Sequence, residues 1–199
     1  DQVVEPAPTG LQPLKVVEAG FFQDPQGPHY VVAAFVVENP NPEQAIYDAR
    51  YQVSLYDATG VLLGTESSGG LVVYPGSKGA KTAALNVPRE TRVARVEVLL
   101  GQGQVKETTV PNPLQSDKAT YMAAPYPEVT GLVLNNSSEE VKGVYVCAIL
   151  YDKDGRIIGS GETSLSTVPA NGQAPFEIMV KSSGEPARVE LYVSSDQFR

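Results

Sequence analysis

The densest chemistry in the 199-residue chain is Asp152-Lys153-Asp154-Gly155. Alternate carboxylates at this spacing can converge on one cation, as in the opening of a calcium loop. The Glu that would close such a loop falls at Glu162, with apolar Ile157 and Ile158 inside the supposed loop. A tight turn explains the same residues with fewer assumptions, because Asp bonds its own backbone and Gly accepts positive φ. The turn is the expectation, whether it binds an ion is left open, and no metal-ligating residue is assigned.

Other reactive side chains are few. His29 is the single histidine, so a zinc site would lack Cys or His partners beside it. A Ser-His-Asp triad would have to use the same His29, and no Gly-x-Ser-x-Gly elbow presents a serine. Cys147 stands mid-strand among Tyr145, Val146, Ala148 and Ile149, the setting of a buried, inert thiol rather than an activated one. Gly101-Gln102-Gly103 has no strand-loop-helix context and reads as a connection, not a phosphate cradle. Any two of the 23 acidic residues could meet as a glycosidase pair, a signal too general to assign. Asn135-Asn136-Ser137-Ser138 holds two overlapping glycosylation acceptors and reads as a loop. No catalytic or cofactor-binding residue is assigned, and the chain is not expected to be an enzyme.

The elements around these residues repeat. Leu55-Tyr56-Asp57-Ala58-Thr59-Gly60 returns as Leu150-Tyr151-Asp152-Lys153-Asp154-Gly155, each an alternating strand running into a turn and a second apolar run. Upstream, Val36-Val37-Glu38-Asn39 matches Leu132-Val133-Leu134-Asn135. Downstream, Gly60-Val61-Leu62-Leu63-Gly64 matches Gly155-Arg156-Ile157-Ile158-Gly159, and Ala94-Arg95-Val96-Glu97 matches Ala187-Arg188-Val189-Glu190. Matched blocks in one order indicate a tandem duplication of a β domain.

This order of strand, Asn, loop, Leu-Tyr-Asp, turn glycine and second strand resembles the FxLYD domain, an immunoglobulin-like β-sandwich of bacterial and archaeal envelope proteins. Where that family carries Phe two residues before the Leu, this chain has Val53 and Ala148. The resemblance implies a non-catalytic extracytoplasmic module and carries over no catalytic or ligand-binding residue.

Composition agrees with ordered β domains: 42% of residues are hydrophobic and 19% charged, and 16 Pro and 18 Gly fall between apolar runs. The expected fold is all-β, two tandem immunoglobulin-like antiparallel β-sandwich domains, with a flexible proline-bearing linker over 1–13, domain 1 over 14–112 and domain 2 over 113–199. Strands are expected over 29–38, 50–56, 61–65, 70–74, 80–87 and 93–100, and in the second half over 156–160, 162–168, 174–181 and 187–194. Residues 43–50 read as a loop leading into a strand, and 119–124 as a short opening strand. The run from Val31 to Val37 is apolar at every position, as expected where both sheet faces are covered or where a neighbour shields the outer face.

Along residues 145–151 both faces are apolar. Val146, Ala148 and Leu150 are expected to point into the core, and Tyr145, Cys147, Ile149 and Tyr151 outward. In the first copy the outward positions are Arg50, Gln52, Ser54 and Tyr56. Something should therefore cover the outer face of the second domain: the first domain, the segment between the domains, or another subunit.

A net charge of −8 repels a phosphate backbone, and Arg89, Arg92 and Arg95 alternate with Glu90 and Glu97 rather than forming a basic patch, so no nucleic-acid partner is expected. No run of 18 apolar residues spans a membrane. The function expected is an extracytoplasmic structural or protein-interaction module of the cell envelope, secreted or tethered by an upstream lipid or membrane anchor, whose partner is an envelope protein or a second copy. The alternative is a ligand-binding module for polysaccharide or calcium, using Tyr121, Tyr126 or the Asp152 turn.

Overall fold

The computed structural model describes residues 10–25, 27, 29–123, 126–195 and 197. Val-rich alternating runs broken by Gly and Pro favour strands, and every regular element among the described residues is a strand. No helix among them is long and apolar enough to cross a membrane.

In the first half, β1 (Lys15–Gln23), β2 (Tyr30–Glu38) and β5 (Lys78–Asn86) form one sheet in the order β1-β2-β5. The facing sheet orders β4 (Leu62–Val73), β3 (Gln44–Tyr56) and β6 (Arg95–Leu100), and β7 (Gln104–Glu107) also pairs with β3. The second half repeats the plan. A sheet of β12 (Gln173–Met179), β9 (Glu128–Asn135) and β8 (Leu114–Met122) faces one ordered β13 (Lys181–Ser182), β11 (Ile157–Val168), β10 (Val141–Tyr151) and β14 (Arg188–Ser194). In each half the first, second and fifth strands lie opposite a sheet built on the third and fourth. All the pairings are antiparallel, and both halves are immunoglobulin-like sandwiches.

Each sandwich has its own core. Val31, Phe35, Val53 and Leu55 lead the first, and Val129, Val133, Val146 and Leu150 the second. The Leu-Tyr-Asp repeat divides its work by position along the pleat. Leu55 and Leu150 point into the cores. Tyr56 and Tyr151 point outward beneath the guanidinium groups of Arg95 and Arg188, 4.2 and 3.9 Å from the ring centroids. Those arginines are ion-paired to Glu97 and Glu190. Asp57 and Asp152 then close the turns.

One core exchange separates the copies. Phe35 on β2 lies opposite Lys81, whereas its counterpart Gly131 lies opposite Phe176, so the ring has moved to the neighbouring strand. A β-carbon on Gly131 would come within 2.7 Å of the Phe176 ring. Gly131→Ala is expected to cost about 2 kcal/mol through overpacking, and Phe176→Leu in the same chain should recover most of that in urea denaturation.

Several boundaries differ from the expectation. Residues 43–50 are not a loop, because β3 begins at Gln44 and β7 supplies a ladder partner for Gln44–Tyr47. Asp48 at φ 51° breaks the alternation that would have revealed this strand. The segments expected at 61–65 and 70–74 are one continuous strand, β4, and those at 156–160 and 162–168 are one strand, β11. In β4, Ser67 and Ser68 keep their partners on β3, and the register shifts past Gly69-Gly70 before Leu71 pairs with Ala49. The opening strand of the second half is longer than 119–124: β8 starts at Leu114 and bulges at Lys118, which has φ 55°. Of the 1–13 linker, residues 1–9 lie outside the described residues. Leu11 packs against the first core, and the Gln12 backbone exchanges two hydrogen bonds of 2.8 Å with the Asn41 side chain.

Candidate functional site

The two Asp turns have the same construction. Asp57 Oδ1 accepts the backbone N–H groups of Thr59 and Val61 at 2.8 and 2.9 Å, and Asp152 Oδ1 accepts those of Asp154 and Arg156, both at 2.9 Å. Gly60 and Gly155 follow at φ 88° and 77°, which only glycine adopts without strain. Hydrogen bonds to the ionised form, from Thr59 and Val61 in one turn and Arg156 in the other, hold both carboxyls below the usual aspartate range. In the second turn the Arg156 guanidinium reaches Asp152 Oδ2 at 2.8 Å and Asp154 Oδ2 at 2.9 Å. It occupies the position between the two carboxylates that a calcium ion would need. Glu162 points elsewhere, and among the described residues no group of three or more His, Cys, Asp or Glu side chains could hold a metal ion.

The other residues singled out from the sequence are scattered. His29 is exposed at the start of β2, its carbonyl accepting the Val87 N–H at 2.8 Å. Gly103 fits where β3 passes closely, since a β-carbon there would meet Ile46 at 2.8 Å and Ala49 at 2.9 Å. Tyr126 is 75% exposed, while Tyr121 packs partly against the second core. Asn135 is no free glycan acceptor. Its amide is buried and donates to the carbonyls of Glu139, Val168 and Pro169 at 2.8, 3.2 and 3.0 Å. Asn39 does the same in the first sandwich, toward Gln44, Val73 and Tyr74 at 2.7, 3.2 and 3.2 Å. The sequence comparison matched these two asparagines without revealing that each ties a strand end to the far sheet.

The apolar outer face of β10 is covered, and the first sandwich covers it. Cys147, Ile149, Tyr151 and Ile157 pack against Ala34, Val36 and Ala80 on the outer side of the β1-β2-β5 sheet. The order of sheets through the molecule is therefore β4-β3-β6, β1-β2-β5, β13-β11-β10-β14, β12-β9-β8. Small residues on the receiving side let the sheets approach, most closely at Gly20, where a β-carbon would lie 2.6 Å from that of Ile157. The doubly apolar run of β2 marks this receiving face as covered, and the structure shows that the second sandwich covers it.

The joint has a polar rim. Glu162 Oε2 accepts the Thr82 hydroxyl at 2.6 Å and also the Tyr145 hydroxyl, and Lys81 Nζ lies 3.5 Å from the centroid of the Tyr145 ring. Burial pushes the Tyr145 phenol and the Cys147 thiol well above their usual ranges and holds the Lys81 ammonium below its own. On the opposite side Tyr151 is wholly buried, with its hydroxyl close to the Glu18 carboxylate. Farther along, Tyr74 Oη donates to the Ser195 carbonyl at 3.1 Å. A cleft of about 300 Å³ opens nearby, lined by Tyr74, Val110, Pro113, Ser137, Glu140 and Val141 among others.

One joint hydroxyl is unsatisfied. Ser160 lies opposite Ile149 on the buried face, 1% exposed, and its Oγ has no hydrogen-bond partner. Ser160→Ala is therefore expected to stabilise the protein by about 1 kcal/mol, since it removes a desolvation penalty and no bond. A thermal melt that moved downward would contradict this.

No family model and no curated protein sequence matches the chain. Among solved structures it is similar to the Amycolatopsis orientalis exo-chitosanase CsxA, with a TM-score of 0.31 and 12% identity over 81% of this chain and 24% of that one. A red sea bream transglutaminase gives 0.28 and 15% over 90% and 29%. A Bacteroides uniformis beta-glucuronidase gives 0.30 and 11% over 84% and 24%. The chain thus spans less than a third of each of these proteins, and their activities are not carried over to it.

Proposed function

We propose that this chain is a rigid, non-catalytic module of the cell envelope, an FxLYD-type pair of sandwiches held outside the cytoplasmic membrane as a spacer or protein-interaction platform. The observation that carries this reading is the joint. A tether that merely strung domains together would leave their sheet faces polar. Here Tyr151 and Ile149 are buried against Ala34 and Val36, so the two sandwiches move as one body. The repeated Leu-Tyr-Asp turns, Leu55 to Asp57 and Leu150 to Asp152, support the family assignment and with it the extracytoplasmic placement.

A rigid spacer must keep its length. Spin labels at the exposed positions Ala58 and Ser166, in opposite halves, are expected to give a single narrow distance distribution by pulsed electron resonance. A broad distribution would defeat the spacer reading.

A further inference from the structure

Each sandwich has two outer faces, and the joint uses a different one from each half: β1-β2-β5 from the first and β10-β11-β14 from the second. Two faces therefore have no cover among the described residues. They are the outer side of β3-β4-β6 and the outer side of β8-β9-β12, and these are the counterparts of the two sides already joined.

The ladders set this correspondence residue by residue. Tyr56, Leu62 and Leu99 stand where Tyr151, Ile157 and Tyr192 stand in the joint. Leu62 and Leu99 are 53% and 68% exposed, large apolar side chains in positions that are covered in the other copy. On the second open face, Asp117, Leu132 and Glu177 stand where Glu18, Val36 and Thr82 stand.

Charge follows the same correspondence. In the joint, Glu18 lies beside Tyr151, and Thr82 bonds Glu162 next to Tyr145. On the open faces, Asp117 takes the place of Glu18 and would approach Tyr56 and Arg95. Arg50 takes the place of Tyr145, Ser67 that of Glu162 and Glu177 that of Thr82, so the carboxylate that joins the two sides moves to the facing sheet, opposite Arg50. Arg50, Asp117 and Glu177 are all exposed.

We propose that a second copy of this chain seats its β8-β9-β12 face on the β3-β4-β6 face of the first, so that copies stack head to tail in the arrangement of the internal joint. Arg50–Glu177 and Arg95–Asp117 contacts surround Leu62, Leu99 and Leu132. The contact is heterologous, because the two faces differ, and it leaves a free face at each end of the stack, so growth is open-ended. It is weaker than the joint, since Thr120 and Pro175 replace Gly20 and Ala80 and hold the sheets farther apart. The stack rests on the spacer reading and extends it, lengthening the rod by whole two-sandwich units.

Sedimentation equilibrium of the intact chain tests this. The average mass is expected to climb above the 21.2 kDa of one chain as concentration approaches about 1 mM, with a dissociation constant on the order of 100 μM. Arg50→Glu and Glu177→Arg should each weaken association by about tenfold or more, because like charges then meet across the contact. An equimolar mixture of the two variants should associate again, since every contact between unlike chains pairs opposite charges. Both positions are exposed, so melting temperatures should match the parent, which separates lost association from lost folding. A parent chain still monomeric at that concentration would overturn the proposal. So would charge variants that associate as the parent does, or a mixture that fails to recover. None of these results bears on the spin-label distance, so stacking can fail while the rigid spacer stands.

Discussion

Replacing Asn39 by aspartate is expected to cost on the order of 4 kcal/mol at neutral pH, although it changes only one atom type. The amide is wholly buried, its Nδ2 donates to the carbonyls of Gln44, Val73 and Tyr74, and its Oδ1 accepts from the backbone and side chain of Asn41. An aspartate of the same shape would aim an oxygen at three oxygens and leave those carbonyls without donors. Burial and the carbonyls both oppose the charged form, so its folded pKa would lie above the unfolded value of about 3.9. The sign follows from that difference. The penalty relative to the parent is smallest below the unfolded pKa, where the protonated acid still donates one bond, and grows as pH rises through the folded pKa. Paired urea titrations of parent and variant at about pH 4 and pH 7 read this directly, and a difference that did not widen with pH would show that Asn39 is not the tie described. Asn135→Asp should behave alike in the second sandwich.

The second large effect is expected at the joint. Gly20→Val places a branched side chain where even a β-carbon would lie 2.6 Å from that of Ile157. Both residues belong to paired strands whose ladders resist displacement. The change should cost about 3 kcal/mol, the upper end of the overpacking range, and should act by parting the sandwiches rather than melting either one. Calorimetry is expected to resolve two transitions where the parent shows one, and Ile157→Ala in the same chain should bring back the single transition. A variant with an unchanged melt would mean that the joint yields without cost, and the rigid reading would lose its support.

Much of this joint is legible in the sequence. Tyr145, Cys147, Ile149 and Tyr151 form an apolar outer face in only one of two related copies, and alternation along a strand assigns faces by parity alone. The receiving side was harder to see. The doubly apolar run of β2 marks that side as covered, but Gly20, Ala34 and Ala80 do not mark it as a joint, because periodicity scores hydrophobic size and close packing here requires its absence. The exchange of Phe35 for Phe176 was hidden for a related reason: a core position is filled from whichever strand reaches it, and one strand's sequence does not show its neighbour. Asp48 and Lys118, both at positive φ, break the period of two inside β3 and β8, which is why those strands were read short. The Asp turns were read correctly because their chemistry is local, complete within five residues.

The single thiol also has a use that its chemistry alone would not suggest. Cys147 is wholly buried, midway along the strand that the first sandwich covers. A maleimide can reach it only while the sandwiches are apart, so its labelling rate, divided by that of an unstructured peptide thiol, gives the equilibrium constant for separation. Each 1.4 kcal/mol of closure slows that labelling about tenfold. The molecule thus carries its own gauge of how often the hinge that it lacks at rest is momentarily present.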